Sequence, residues 1–398
     1  MEAAIEIGDR PLETRANDGE QKSPLIIETI SLRGFRNLSD VDLAPSPRFN
    51  VIAGDNGQGK TNILEAIYLG GTTRSFRTTK LAEVVGHHKT LATSKLVVRE
   101  GPSEHDIARE QVVGLQGGAR SVKVDGKRPA SLAAYAIKTP VVVFHPGEVA
   151  LSQGPSGERR RLLDRAGLYA APGSLADADA YARAIRERQR ALETRGAMAR
   201  DLDQWEALAV RHGMSIMGVR RRASEALLTA AERAFRRIAA PDLTLTGAFA
   251  PSAPEDETAY LKALWESRAV DMRRKSASIG PHRDELALFI NGHAVRGTAS
   301  QGQHRALVLA LKAAEIEVIG DARGARPILL LDDVSSELDR ERTRALMAFL
   351  RDLEGQVFLT TTRPELIVLG DAEGLSFGDE TRRDWTVREG AIATAVNT

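Results

Sequence analysis

The chain has 398 residues, of which 42% are hydrophobic and 27% charged, with 34 glycines and 16 prolines. Such a chain can bury a large core, which excludes a disordered tail protein, and its length exceeds one ordinary domain, so two or three units, or one domain with an insertion, are expected. It has no cysteine, which excludes a disulfide scaffold, a thiolate zinc site and a cysteine nucleophile, and leaves any metal to oxygen or histidine. The 55 basic and 54 acidic residues nearly cancel to a net charge of +1, but a chain-wide sum is blind to a local patch.

Residues 1–24 carry Pro11, Gly19 and Pro24 among charged residues without a period of 2 or 3.6, and predict a loose extension. From Met1 to Asp18 there is no apolar core of a signal peptide, and no later segment has 18 uninterrupted apolar residues, so a cytoplasmic protein with no membrane partner is expected. Short apolar stretches over 25–38 open the fold. Phe49-Asn50-Val51-Ile52-Ala53 predicts a buried strand entering a glycine-rich turn, and Ile63, Leu64, Ile67 and Tyr68 at helical spacing predict a helix that Gly70-Gly71 ends. Short strands are expected over 95–98, 111–114 and 121–124, the last followed by a turn at Asp125-Gly126. Val141-Val142-Val143-Phe144 is an apolar strand halted by Pro146, and Arg159-Arg160-Arg161 lies near the start of a helix.

From 175 to 238 there is no proline, and Tyr181, Ile185, Leu192, Trp205, Leu208, Met217 and Leu227 recur at spacings that predict two or more long helices, a helical arm. Over 158–237 there are 17 arginines, no lysine and 11 acidic residues, a local excess of six positive charges hidden in the near-neutral total. Such a surplus fits a solvated helical face as well as it fits nucleic acid. Beyond the arm, strands over 286–290, 327–331 and 357–359 alternate with helices over 306–319 and 340–353. The pieces at 49–70 and 300–365 read as halves of one sheet split by an insertion. The expected domains are an extension (1–24), the N-terminal part of an α/β head (25–155), an arginine-rich helical arm (156–275) and the C-terminal part of the head (276–398).

Gly54-Asp55-Asn56-Gly57-Gln58-Gly59-Lys60-Thr61 matches the phosphate-loop pattern, with the strand before it and the helix after it that the pattern requires. Backbone N–H groups of such a loop surround phosphate oxygens at a helix N-terminus, Lys60 reaches the β and γ phosphates, and the Thr61 hydroxyl meets magnesium. Ile328-Leu329-Leu330-Leu331 delivers Asp332 and Asp333 to the C-terminal end of a buried strand, where open α/β sheets bind ligands. Asp332 is expected to hold the magnesium, directly or through water, and Asp333 to polarise the attacking water; a helix N-cap is the other reading of the pair, and the two roles do not compete.

The chain resembles the bacterial RecF family of recombination proteins, relatives of the structural-maintenance and Rad50-type ATPases in the wider ABC class. The resemblance runs over about 25–395. It is carried by Phe35-Arg36-Asn37, the loop from Gly54 to Thr61, Thr73-Arg74-Ser75-Phe76-Arg77, Arg159-Arg160 before Leu163-Asp164, Gly280-Pro281-His282-Arg283-Asp284, Ser300-Gln301-Gly302-Gln303, and Asp332-Asp333 leading to Ser336-Glu337-Leu338-Asp339. It implies an ABC-type P-loop ATPase head of two lobes with an inserted mainly helical arm, binding ATP and Mg2+ and hydrolysing ATP weakly with DNA stimulation. Ser300, Gly302 and Gln303 then belong to a signature that meets the γ phosphate held by the opposite subunit, and Ser336 to Asp339 cross the dimer interface. The same resemblance implies binding to single-stranded and gapped duplex DNA, a homodimer on ATP, and work with RecR and RecO in directing RecA loading at gaps and stalled forks, in DNA repair and the SOS response.

The chain departs from the wider class in two places: Asp333 replaces a glutamate, one methylene longer, and Thr360-Thr361-Thr362 stand where many relatives carry a histidine, although the threonines resemble those of the RecF family. The shorter Asp333 points to slow hydrolysis, and the threonines can hydrogen-bond to phosphate or water but cannot act as a near-neutral base. The magnesium-facing glutamine stays open between Gln111 and Gln116. Arg74 and Arg77 are read either as solvated loop residues or as contacts to nucleotide or DNA backbone, and His282 and Arg283 as a surface turn. His87, His88, His105, His145, His282, His293 and His304 show no zinc-ligand spacing. A transporter ATPase subunit shares the loop and signature but not the arm or motif order, and a chromosome-structural ATPase needs hundreds of coiled-coil residues between Thr61 and Ser300.

Overall fold

The computed structural model describes residues 22–101, 106, 108–238, 242–333, 350, 355–364, 367 and 381–394. Most of the expected extension, the segment Ser336 to Asp339 and all but Leu350 of the helix expected over 340–353 lie outside the described residues. In chain order, β1 (Leu25–Arg33), β2 (Val41–Leu43) and β3 (Phe49–Ala53) precede helix α1 (Lys60–Thr72), which β4 (Leu91–Glu100), β5 (Ala108–Gln116), β6 (Ala119–Val124), the short α2 (Leu132–Ala136) and β7 (Val141–Phe144) follow. Helices α3 (Ala150–Gln153), α4 (Ser156–Ala170), α5 (Ser174–Arg195) and α6 (Leu202–Ile238) come next, then β8 (Leu245–Ala250), α7 (Glu257–Arg274), β9 (Glu285–Ile290), β10 (His293–Ala294) and a bent turn, α8 (Val295–Thr298). Helix α9 (Gln301–Arg323), β11 (Ile328–Leu331), β12 (Val357–Thr361), β13 (Arg382–Arg388) and β14 (Ala391–Thr394) complete the described chain.

The continuous apolar runs all enter one sheet, ordered β14-β13-β3-β12-β11-β7 and parallel except for β14. Its strands are apolar on both sides because both faces are covered. Ile52, Val141, Val143, Ile328 and Leu330 pack with α1, while Val51, Val142, Leu329, Leu331 and Leu359 pack with Ile316 and Ile319 of α9. The period-2 segments form a second, antiparallel sheet, β2-β1-β4-β5-β6, on the other side of α1. Asp125 and Gly126 take φ of 50° and 74° in a two-residue turn closed by hydrogen bonds between Val124 and Lys127, the hairpin geometry that a residue pair of this kind favours.

Helix α1 does not stop at Gly70-Gly71, as the sequence suggests; it runs to Thr72 and is capped by Thr73 in the left-handed region. The two glycines serve packing. A Cβ on Gly70 would lie 2.7 Å from Leu96 Cδ1 and Ser94 Oγ of β4, and one on Gly71 would lie 2.6 Å from Val141 Cγ2 of β7, so the helix touches both sheets where side chains are absent. In the arm, α5, α6 and α7 share a core that includes Tyr181, Val210, Met217, Tyr260 and Leu264. The 37-residue α6, roughly 55 Å long, continues into a second core, where Leu227, Ala231 and Phe235 meet α9 and the sheet β10-β9-β8. Since β8 pairs with β9, that sheet joins residues on either side of 275. Among the described residues no helix is long and apolar enough to cross a membrane.

Gly70→Ala is expected to lower the unfolding free energy by about 1–3 kcal/mol through overpacking. Urea unfolding reads this directly, and an unchanged midpoint would contradict the tight contact with β4.

Candidate functional site

Strand β3 delivers the loop at 54–61 and α1 carries it away. Gly59, at φ 116°, is the N-cap of α1 and supplies no side-chain cap, so the first amides of the helix are left to an anion. A Cβ there would also press within 2.9 Å of Leu38 Cδ2. The loop is braced from outside by a turn that sequence reasoning missed, the β13–β14 hairpin tip. Glu389 N donates to Gln58 Oε1 at 2.5 Å and Gly390 N to Gln58 O at 3.0 Å. Lys60, 7% exposed, donates through Nζ to Gly54 O at 2.6 Å and Asp55 O at 2.9 Å. Burial lowers its pKa, and the nearby Asp333, Asp332 and Asp55 oppose that shift.

The parallel register of β11 beside β12 and β7 brings the two aspartates to this loop. Thr61 Oγ1 donates to Asp332 Oδ1 at 2.8 Å, and Thr360 Oγ1 donates to the same oxygen at 2.8 Å. Asp333 N donates to Thr360 Oγ1 at 2.8 Å, and Asp333 has a φ of 52°, a conformation Asp enters more readily than most residues. The fully buried Thr360 therefore sets both aspartates rather than facing solvent. Hydroxyl and carboxylate side by side form a hard, all-oxygen donor set, the kind that suits magnesium. Neither expected glutamine joins them. Gln111 is buried and bonded to Tyr135 O and Thr139, and Gln116 ends β5 at the hairpin. The residue after β7 is His145, next to Asp332 in register since Asp332 N donates to Phe144 O at 2.8 Å. Its pKa is lowered by burial, with Glu148 opposing. The signal for it was its place after an apolar strand, not its spacing from other histidines.

The remaining motifs divide into two groups. Arg36 grips the buried Glu65 of α1 at 2.5 and 2.7 Å, and Ser75 and Arg77 reach the same carboxylate from the loop after α1. Arg77 also donates to Asn62 Oδ1 at 2.6 Å, Asn62 to Asn37 Oδ1 at 2.6 Å, and Asn37 to Gly57 O at 3.3 Å. Phe35-Arg36-Asn37 and the 73–77 loop are thus bound to one another and to the edge of the phosphate loop. The second group roots the arm. Arg220 of α6 bridges Asp164 of α4, Asp284 and Pro281 O; Arg159 pairs with Glu285 and Arg160 with Asp284 O. His282 is no exposed turn residue: Nδ1 meets the Tyr181 hydroxyl at 2.7 Å, Nε2 meets Ala277 O at 3.0 Å, and burial lowers its pKa.

Ser300 caps α9 in a reciprocal box with Gln303, at 3.3 and 2.8 Å. No hydrogen bond among the described residues joins Ser300, Gly302 or Gln303 to the phosphate loop of the same chain.

A family profile described as the RecF/RecN/SMC N terminal domain matches residues 26–373. The DNA replication and repair protein RecF of Anaeromyxobacter sp. (strain Fw109-5) is 43% identical over 360 residues, 85% of this chain and 93% of that one. The chain belongs to the RecF family. The RecF of Geobacter sp. (strain M21) is 38% identical, over 84% of this chain and 92% of its own. A solved structure of the recombination mediator protein RecF with ATP, in the RecFOR pathway, superposes with a TM-score of 0.81 at 26% identity, covering 94% of this chain and all of that one. The fold alone is shared with the Pyrococcus furiosus Smc head, at 16% identity and a TM-score of 0.51. The α/β head with a helical arm is accordingly the P-loop ATPase architecture of RecF proteins.

Thr360→Val removes an acceptor from Asp333 N and a donor from Asp332. It is expected to lower the ATPase rate by about tenfold, the effect of roughly 1.4 kcal/mol, while the melting temperature moves by only a few degrees. An unchanged rate would show that Thr360 does not set the aspartates.

Proposed function

We propose that this chain is an ATP-switched DNA clamp of recombinational repair. The observation that carries the reading is the separation within one chain of two helix N-termini: the uncapped α1 behind the phosphate loop, and α9 behind its Ser300 cap, with no hydrogen bond to that loop among the described residues. Two chains related by a twofold axis would let each α9 face the nucleotide held by the other. ATP binding and dimer formation are then one equilibrium. The Ser300 hydroxyl accepts from Gln303 N in its cap and keeps its own proton to donate to a phosphate oxygen.

Within each site, the loop amides and Lys60 hold the phosphates. Lys60 exchanges the carbonyls of Gly54 and Asp55 for phosphate oxygens, which restores a full partner to a charge that burial disfavours. Thr61 and Asp332 would hold magnesium, which supplies charge compensation to the β and γ phosphates when bound. Asp333, fixed through its amide by Thr360, orients the attacking water from one methylene further back than a glutamate, consistent with slow hydrolysis that resets the clamp.

DNA contact follows from charge that stays unpaired. Arg159, Arg165, Arg188 and Arg220 of the arm's positive excess are absorbed in ion pairs with Glu285, Glu315, Glu206 and Asp164. Arg183, Arg186 and Arg190 are exposed on one face of α5, and no carboxylate among the described residues pairs with them. They form a stripe suited to phosphates and indifferent to base sequence. RecR, with RecO and RecA in the same pathway, is the expected protein partner.

Mass and affinity for gapped duplex, measured with ATP, without it and with a Lys60→Met chain, test the clamp. ATP-dependent dimers that bind DNA more tightly are expected, and a monomer of unchanged DNA affinity throughout would refute it. Ser300→Arg should keep nucleotide binding and abolish dimers; loss of ATP binding by that chain would contradict the assignment. Replacing Arg183, Arg186 and Arg190 with alanine should flatten the salt dependence of DNA affinity by about 2–3 in log–log slope. An unchanged slope would move the contact elsewhere.

A further inference from the structure

A cleft of about 440 Å³ lies between the 73–77 loop and the arm, with Tyr68 and Thr72 of α1 and Val143 of β7 on one side and Leu168 of α4 and Asp179 of α5 on the other. Most of its charges are already matched. Glu158 pairs with Arg161, Asp164 with Arg220, Glu148 with Lys312 and Arg77 with Glu65. Arg74 is exposed and has no carboxylate partner among the described residues. Arg120 donates from one nitrogen to Thr73 O at 2.6 Å and Thr73 Oγ1 at 3.3 Å, and its other nitrogens have no partner among the described residues. Arg120 is depressed in pKa first by burial and then by Arg74, so the two guanidinium groups lie close enough to repel; Asp179 opposes the shift without bonding to either.

Tyr68 adds a second, independent sign. It is 6% exposed and lines the cleft, and its hydroxyl, without a hydrogen-bond partner among the described residues, is not sealed from solvent. Two like charges and a hydroxyl that open on one cleft are donors free to meet the acceptors of a single anionic ligand. Beside them, Phe76 packs edge-on to Tyr68 and tilts against His145, and Tyr169 lines the same space. The cleft therefore joins phosphate-type donors to flat aromatic walls, at a volume within the range of small-ligand sites.

We propose that this cleft binds one phosphate-bearing nucleotide unit, free or at the end of a strand, with Arg74 and Arg120 on the phosphate and the aromatic wall against the base. The site is separate from the phosphate loop and stands whether or not the clamp reading holds. Guanidinium groups supply the planar donors that a phosphate accepts.

The test uses the full chain carrying Lys60→Met, so that the phosphate loop does not compete for the probes. Binding is measured for free dAMP, for a single-stranded hexanucleotide with a 5′ phosphate, and for the same strand with a 5′ hydroxyl. Tight binding of dAMP assigns a free nucleotide, and preference for the phosphorylated strand without dAMP binding assigns a strand end; both support the site. In either case adding Arg74→Ala should weaken binding at least about tenfold and Tyr68→Phe by a few fold, with unchanged melting temperatures because Arg74 is exposed and unpaired. Equal affinity of all chains for every probe, or no binding of any probe at millimolar concentration, would overturn the proposal.

Discussion

Helix α1 is pressed between two sheets, and most of the head depends on that contact. One face of the helix meets the parallel sheet through Ile63, Ile67 and Gly71, and another meets the antiparallel sheet at Gly70. Each large apolar side chain buried there contributes about 1.5–3 kcal/mol, so the helix cannot shift without losing both interfaces at once. The N-terminus of the helix is thereby held at the edge of β3 and β12, where the phosphate loop closes. The position of the loop is thereby set by the packing of the helix behind it.

Arginine–carboxylate pairs, most of them with a buried partner, fix the other elements in place. Glu65 gathers Arg36, Ser75 and Arg77 onto α1, and Asp284 with Asp164 ties Arg220 of the arm to the head. Asp271 and Glu206 hold the fully buried Arg188 between α5, α6 and α7. Removing one partner of such a pair leaves an uncompensated charge and costs about 3–5 kcal/mol, which makes these contacts more useful for fixing relative position than for net stability. They also explain why the arm's arginine excess is a poor measure of its surface. Part of that charge is internal, with Arg159, Arg188 and Arg220 buried in ion pairs, and the rest reaches solvent from both α5 and α6.

The periodicity of the sequence predicts the head well where local physics decides. Phe49–Ala53 and Val141–Phe144 are strands with the expected limits, because continuous apolar runs bounded by glycine or proline have few other solutions. The phosphate-loop pattern and the aspartate pair converge as expected, since each spacing demands its own strand end. Legibility fails at Gly70-Gly71, where glycine signals a stop but answers to close packing, and at His282, where a turn motif is the root of the arm. It fails also at Thr360, whose hydroxyl serves the aspartates, and at Glu389-Gly390, whose role in bracing the loop belongs to a hairpin far away in sequence.

The sequence by itself determined which groups are available: a lysine, a threonine and two aspartates with oxygen chemistry, no thiol, and an arginine-rich insertion within a nearly neutral total. Those follow from composition and short spacings, which survive without knowledge of the fold. Only the tertiary structure decided which charges meet. It placed Arg188 and Arg220 inside and Arg183, Arg186 and Arg190 outside, and it brought Arg120 beside the 73–77 loop, where it lines one cleft with Arg74. Pairing depends on distances between residues remote in the chain, and a near-zero sum of charge contains no information about them.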